Sequence, residues 1–211
     1  MSEKSSRIDY HIEKHQITGS ADTPRLTRQW QQVIDTCHQQ RADSAIRLRL
    51  ALETVDYITS FELPFRLLLT RAPQLIDKLR KEVNIFSRPA KINDNKRGVV
   101  YSRHDDFSRI PYEFNYERSY HITRSGALGG TTSSYTAITK IAELPRERLR
   151  LALTSGLQVT ALDALLFFDI QRVAANVERL RKQGLNIALS HVTAFDSQTQ
   201  TVREIPAYRC A

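Results

Sequence analysis

The sequence predicts a mainly α chain with small β-hairpins, an α+β class, in which one supersecondary unit is used twice. Two observations predict it. The hexapeptide Arg-Leu-Arg-Leu-Ala-Leu stands at 47–52 and again at 148–153, and a shift of 101 residues lays 47–82 over 148–183 without a gap, with eleven identities among 36 pairs. Beyond the hexapeptide the identities are Thr59/Thr160, Arg71/Arg172, Leu79/Leu180, Arg80/Arg181 and Lys81/Lys182. In each copy, moreover, helix-period segments are followed by two strand-like segments around a polar turn. A fixed register means that one unit is repeated, and a period of about 100 residues is too long for a solenoid and fits two small tandem domains.

The second copy gives the elements in order. Pro145 opens a helix with Leu149, Ala152 and Leu153 on one face, and Gly156 stops it, the usual placement of the two residue types. Thr160 caps a second, short apolar helix, with Asp163 three residues on completing a capping-box pattern. After a break at 169–171, a third helix runs from Gln171 to Gln183 and ends at Gly184. Its apolar stripe is Ile170, Val173, Ala174, Val177 and Leu180, with Gln171, Arg172, Ala175, Glu178, Arg179 and Lys182 opposite. Ile187–Phe195 and Val202–Tyr208 read as a hairpin around a polar turn. Helix, helix–turn–helix and hairpin together outline a winged helix, so the repeat predicts two tandem winged helix-turn-helix domains.

The first copy follows the same outline. Residues 41–54 form the first helix, Thr59 caps the second and 71–82 form the third, where Pro73 falls in the tolerant first turn. Pro64 predicts a kinked or shortened second helix. The hairpin is 85–92 and 98–103 about a turn at 93–96. The resulting domains are a flexible N-terminal arm (1–24), a first winged helix with an extra N-terminal helix and a C-terminal strand extension (25–124), a Gly/Ser/Thr-rich linker (125–140) and a second winged helix (141–211). Trp30, Val33 and Ile34 mark the extra helix, and Tyr112, Phe114 and Tyr116 alternate as a strand does.

The 211 residues carry 31 Lys+Arg against 23 Asp+Glu, a net charge of +8, which favours a polyanionic partner. Cys37 and Cys210 stand far apart and suggest neither a disulfide framework nor a zinc site. The polar amino terminus lacks a signal-peptide pattern, and no apolar run is long enough to span a bilayer. A cytoplasmic protein without a membrane partner is expected.

The run Arg-Leu-Arg-Leu-Ala-Leu, then Val-Thr-Ala-Leu-Asp-Ala-Leu, then Ile-Gln-Arg-Val-Ala-Ala-Asn-Val-Glu-Arg-Leu-Arg-Lys-Gln-Gly-Leu-Asn-Ile, ending Ala-Tyr-Arg-Cys, resembles a family of small bacterial winged helix-turn-helix domains. These occur in proteins of prophages, plasmids and other mobile elements. The resemblance covers about 146–210, and the segment at about 41–103 looks like its diverged internal relative. It implies double-stranded DNA as partner, with the third helix in the major groove, and hence a bacterial, nucleoid-associated protein.

A recognition helix meets base edges through its N-terminal half. Arg71 and Arg172 begin their helices, beside Thr70 and Gln171, and suit a bidentate contact to guanine or a phosphate. Gln74 suits adenine, whereas its counterpart Ala175 suits only a thymine methyl, which predicts unequal half-sites. Lys78/Arg179 and Lys81/Lys182 suit flanking phosphates, as do Lys91, Lys96 and Arg97 in the first hairpin and Arg203 in the second.

Other positions read as structure. Arg80/Arg181 lies near the apolar stripe and suits an ion pair, and Asp77/Glu178 suits an i,i+4 pair with Lys81/Lys182. The aromatic run at 112–120 favours packing over base stacking. The triplet His104-Asp105-Asp106 has no partners at catalytic or ligand spacing, and the glycines at 126, 129 and 130 match no phosphate loop. No catalytic residue, metal or cofactor is expected, and self-association is left open. The leading reading is a transcription regulator of a mobile element. Its alternatives are a plasmid replication initiator or DNA-transfer accessory protein, and a protein-interaction module that does not touch DNA.

Overall fold

A computed structural model describes residues 7–93, 96–126 and 129–211. Two compact units divide the chain: Lys14–Tyr120, which holds the first copy of the repeat, and Met1–Glu13 with His121–Ala211, which holds the second. The division falls within two long strands, β1 (Ile8–Gly19) and β6 (Tyr116–Ser125).

In the first-copy unit, α1 (Pro24–Gln40) is capped by Thr23, whose hydroxyl accepts from the Leu26 N–H, and buries Leu26, Trp30, Val33 and Cys37. The helix expected at 25–40 is therefore present. Next, α2 (Ser44–Thr54) is capped by the Asp43 carboxylate. The two-residue strand β2 (Ile58–Thr59), the single-turn α3 (Glu62–Arg66), α4 (Ala72–Leu79) and the hairpin β3 (Phe86–Ile92) and β4 (Lys96–Ser102) follow. Pro64 accompanies a second helix of only five residues. The two-residue β5 (Glu113–Phe114) lies parallel to β3, giving the sheet order β2-β4-β3-β5.

In the second-copy unit the same order recurs: α6 (Pro145–Thr154), β7 (Val159–Thr160), α7 (Ala161–Leu166), α8 (Val173–Lys182), β8 (Ile187–Asp196) and β9 (Thr201–Cys210). The sheet order is β6-β1-β8-β9-β7. The turn between the second and third helices repeats an uncommon backbone: Leu68 and Asp169, 101 residues apart, have φ of 49° and 59°. Gly156 and Gly184 close α6 and α8 at φ of 82° and 96°, a region an L side chain adopts at a cost.

The twin hexapeptide is core: Leu48, Ala51 and Leu52, like Leu149, Ala152 and Leu153, are almost fully buried. Its leading arginine ties the helix to the preceding segment in both copies. Arg47 Nη1 donates to the Ala42 carbonyl and Arg148 Nε to the Ala142 carbonyl, both at 2.9 Å.

Three expectations are corrected. Residues 8–19 form β1 instead of a flexible arm; Ile8 and Tyr10 are fully buried and Ile8–Tyr10 pair with Ala194–Asp196. The segment expected as a linker holds α5 (Thr132–Ile141), because Tyr135 and Ile138, three apart, share one buried helical face. Ala174 is exposed: the buried row of α8 is Val173, Val177 and Leu180, and Ala174 stands about 100° round from Val173. No helix among the described residues is long and apolar enough to cross a membrane.

Candidate nucleic-acid interface

A third helix can be read by DNA only if its outward face is fixed by what lies beneath it. Each unit fixes it with a buried polar knot under the helix–turn–helix. In the second-copy unit Thr160 and Asp163 form a reciprocal capping box: Asp163 N–H donates to Thr160 Oγ1 at 2.9 Å and Thr160 N–H to Asp163 Oδ2 at 3.0 Å. Tyr10 donates to Asp163 Oδ1 at 2.9 Å and lies 2.6 Å from Thr160 Oγ1, while Arg124 Nε donates to Asp163 Oδ1 at 2.9 Å. Arg124 Nη1 also reaches the Gly130 carbonyl. Burial pushes the Asp163 carboxyl up from the ordinary range, and the guanidinium and the Thr160 and Tyr10 donors pull against it.

The first-copy unit repeats the knot with different suppliers. Thr59 N–H and Oγ1 both donate to Glu62 Oε2 at 3.0 Å, the Tyr116 hydroxyl lies 3.0 Å from Thr59 Oγ1, and Arg66 Nε donates to Glu62 Oε1 at 3.1 Å. Tyr116 and Tyr10 thus fill one role from different parts of the chain. Tyr10, Arg124 and Arg66 were not singled out in the sequence. The alternation Ile8-x-Tyr10-x-Ile12 is the signal that could have found the first of them.

With the inner side held, the outer faces are basic. Arg172 is the N-cap residue of α8 and Arg71 that of α4; neither side chain caps its helix, and both are exposed. Ala175, Arg179 and Lys182 share the exposed side of α8, and Gln74 and Lys78 that of α4; the third helix expected over 71–82 ends at Leu79, so Lys81 is exposed in the turn that follows. Thr70 and Gln171 are half-buried where the chain enters these helices. The structure thus brings together Arg71, Gln74 and Lys78 along α4, with Lys81 in the turn just past its end, and Arg172, Ala175, Arg179 and Lys182 along α8.

Asp77 and Glu178 turn to arginine instead of to Lys81 and Lys182. Asp77 lies 3.7 Å from Arg80 and Glu178 3.8 Å from Arg181, both at i,i+3. The same arginines reach the hairpin, Arg80 to Ser87 Oγ at 2.9 Å and Arg181 to the Ile187 carbonyl at 2.6 Å. An arginine that bridges helix and hairpin holds its carboxylate on its own side, which leaves both lysines to solvent.

The hairpin residues fare unevenly. Arg97 is exposed, whereas Lys91 is held by Glu113 at 2.7 Å. The Lys96 side chain lies outside the described residues, as do Asp94 and Asn95 of the turn. Arg203 is corrected as a wing contact: it lies 3.2 Å from the buried Asp196, its side chain is only 18% exposed, and burial lowers its pKa. The hairpin tip itself is occupied, since Ser197 N–H donates to the Tyr10 carbonyl at 2.9 Å and Ile12 N–H to Ser197 Oγ at 2.8 Å.

His104, Asp105 and Asp106 are exposed, and no group of three or more His, Cys, Asp or Glu among the described residues is placed to hold a metal ion. Neither the curated proteins nor the solved structures include a match to this chain. Residues 146–210, the C-terminal third of the chain, match the family model of the winged helix-turn-helix domain, and the helix, capped helix, third helix and hairpin found there follow in that order.

Proposed function

We propose that the chain is a sequence-specific double-stranded DNA-binding protein that uses two tandem winged helices to regulate transcription of a bacterial mobile element. The observation that carries the reading is the pair of third helices, each with an exposed arginine at its N-cap and further basic side chains on the same solvent face. The family match supports DNA binding for the second copy. The repeat of element order, of the left-handed turn residue and of the buried knot supports extending it to the first.

In the major groove, Arg71 and Arg172 read or clamp guanine, Gln74 reads adenine, and Ala175 meets a thymine methyl. Lys78, Lys81, Arg179 and Lys182 neutralise phosphates. Two linked readers raise affinity through effective concentration. A plasmid replication initiator or DNA-transfer accessory protein would use the same contacts, and the genomic position of the site separates these roles.

Selection of bound duplexes from a random library with the full chain tests the proposal. Two related, unequal half-sites are expected, with affinity falling on the order of 10³-fold between 50 and 200 mM salt if six phosphates are neutralised. No enriched sequence at any salt concentration would remove the reading.

A further inference from the structure

Among the differences between the aligned copies are two that each remove a carboxylate. In the first-copy unit Arg49 of α2 pairs with Glu82, just beyond α4. Their counterparts are Arg150 of α6 and Gln183 at the end of α8, and Gln183 carries no charge. At the start of the same helices, the Asp43 carboxylate accepts from the Ala45 and Ile46 N–H groups, whereas its counterpart Leu144 offers no cap. Both carboxylates that the first copy supplies to itself are therefore missing from the second.

Where they are missing there is a groove. It has a volume of about 610 Å³ and is lined by Leu144, Pro145, Arg150, Asn176, Leu180 and Gln183. Arg146 and Glu147 complete the lining. Among the described residues neither Arg146 nor Arg150 pairs with a carboxylate, and the two arginines outnumber Glu147. Leu144 is 66% exposed and the neighbouring Ile141 73%, an unusual cost for side chains of this size beside an open groove.

We infer that the groove between α6 and α8 is a docking site for an acidic, apolar segment of a partner protein. A partner carboxylate meets Arg150, in the place Glu82 holds in the first copy, and a partner aliphatic side chain covers Leu144. Charge complementarity selects this occupant: a second copy of a chain at +8 brings net repulsion. The apolar floor of Leu144, Pro145 and Leu180 suits a peptide better than a sugar–phosphate backbone. The inference does not depend on DNA binding.

The test uses the full chain and a labelled, end-blocked peptide of Glu and Leu, with two controls in which Gln replaces Glu or Ser replaces Leu. Fluorescence anisotropy should show binding of the Glu/Leu peptide and loss of about tenfold or more with either control. Restoring the first copy's own carboxylates, by Gln183→Glu and separately by Leu144→Asp, should weaken the peptide to a similar extent, while Arg172→Ala leaves it unchanged. Both restored variants add a charge at an exposed position, and their thermal melts check folding. Peptide binding that is absent, or indifferent to Gln183→Glu, overturns the inference. So does a result in which that substitution abolishes duplex binding or self-association, measured by gel shift and sedimentation, and spares the peptide.

Discussion

The two units solve one problem with different donors. Each gathers a tyrosine and an arginine round a buried threonine and carboxylate at the start of its second helix, with Tyr116 and Arg66 half-buried in the first-copy unit and Tyr10 and Arg124 buried in the second. In the first-copy unit Arg66 sits one turn after Glu62 and has a second carboxylate, Asp22, at 3.5 Å. In the second-copy unit Arg124 and Asp163 are both fully buried and come from distant segments. A local pair with a spare partner is tolerant. A pair assembled from a strand and a distant helix is not, because removing one member leaves the other in a place water does not reach.

Asp163→Ala should accordingly cost about 3–5 kcal/mol, against a smaller loss for Glu62→Ala, where Arg66 keeps Asp22. Urea denaturation of the full chain compares them, and equal losses would break the contrast. The next effect concerns DNA. Arg172→Ala should cost about 1–3 kcal/mol in affinity and relax preference at one base position, with Arg71→Ala acting on the other half-site. Weakening that is uniform over all sequences would assign these arginines to phosphates.

Acid should separate the units as well. Burial, with the Arg118 and Arg66 charges beside it, lowers His15 to about 4 from 6.5, while His11, His121 and His191 are exposed. A neutral form favoured by folding contributes stability that is present above pH 6.5 and is lost as pH falls toward 4. About 1 kcal/mol should be gone from the first-copy unit by pH 5.5. His15→Gln should flatten the loss, as read from urea melts at pH 7 and 5.5. The smallest difference lies in the hairpins: Arg97→Ala should reduce the salt slope of binding by about one, and Arg203→Ala should leave the slope unchanged while lowering stability. An Arg203 variant with an altered slope would return that residue to the interface.

What the sequence made legible was local. Helix periods, the Thr160–Asp163 spacing and the Gly184 stop each operate within a few residues, and the repeat carried them from one copy to the other. Pro64 likewise announced a short helix. The misses are non-local or masked by composition. Tyr10 takes its role from Thr160 and Asp163, and β1 from β8; beside residue 10 the only mark is the short alternation Ile8-x-Tyr10-x-Ile12, set in a polar run. The polar run before Tyr135 hid α5, although Tyr135 and Ile138 carry its period. Arg203 looked basic and available until its strand neighbour Asp196 turned out to be buried. For the candidate interface, charge and helical phase were readable, but which cations are already committed was not.

Ile8 and Tyr10 leave the ribosome long before their strand partners Ala194–Asp196 are made. The nascent protein must therefore keep two fully buried side chains waiting, and closing so long a loop carries an entropic penalty that grows with length. A fragment starting at His121 would lack the Tyr10 hydroxyl that Asp163 and Thr160 bind. Dissecting the second-copy unit thus requires a permuted chain in which β1 is tethered in place, not a simple truncation.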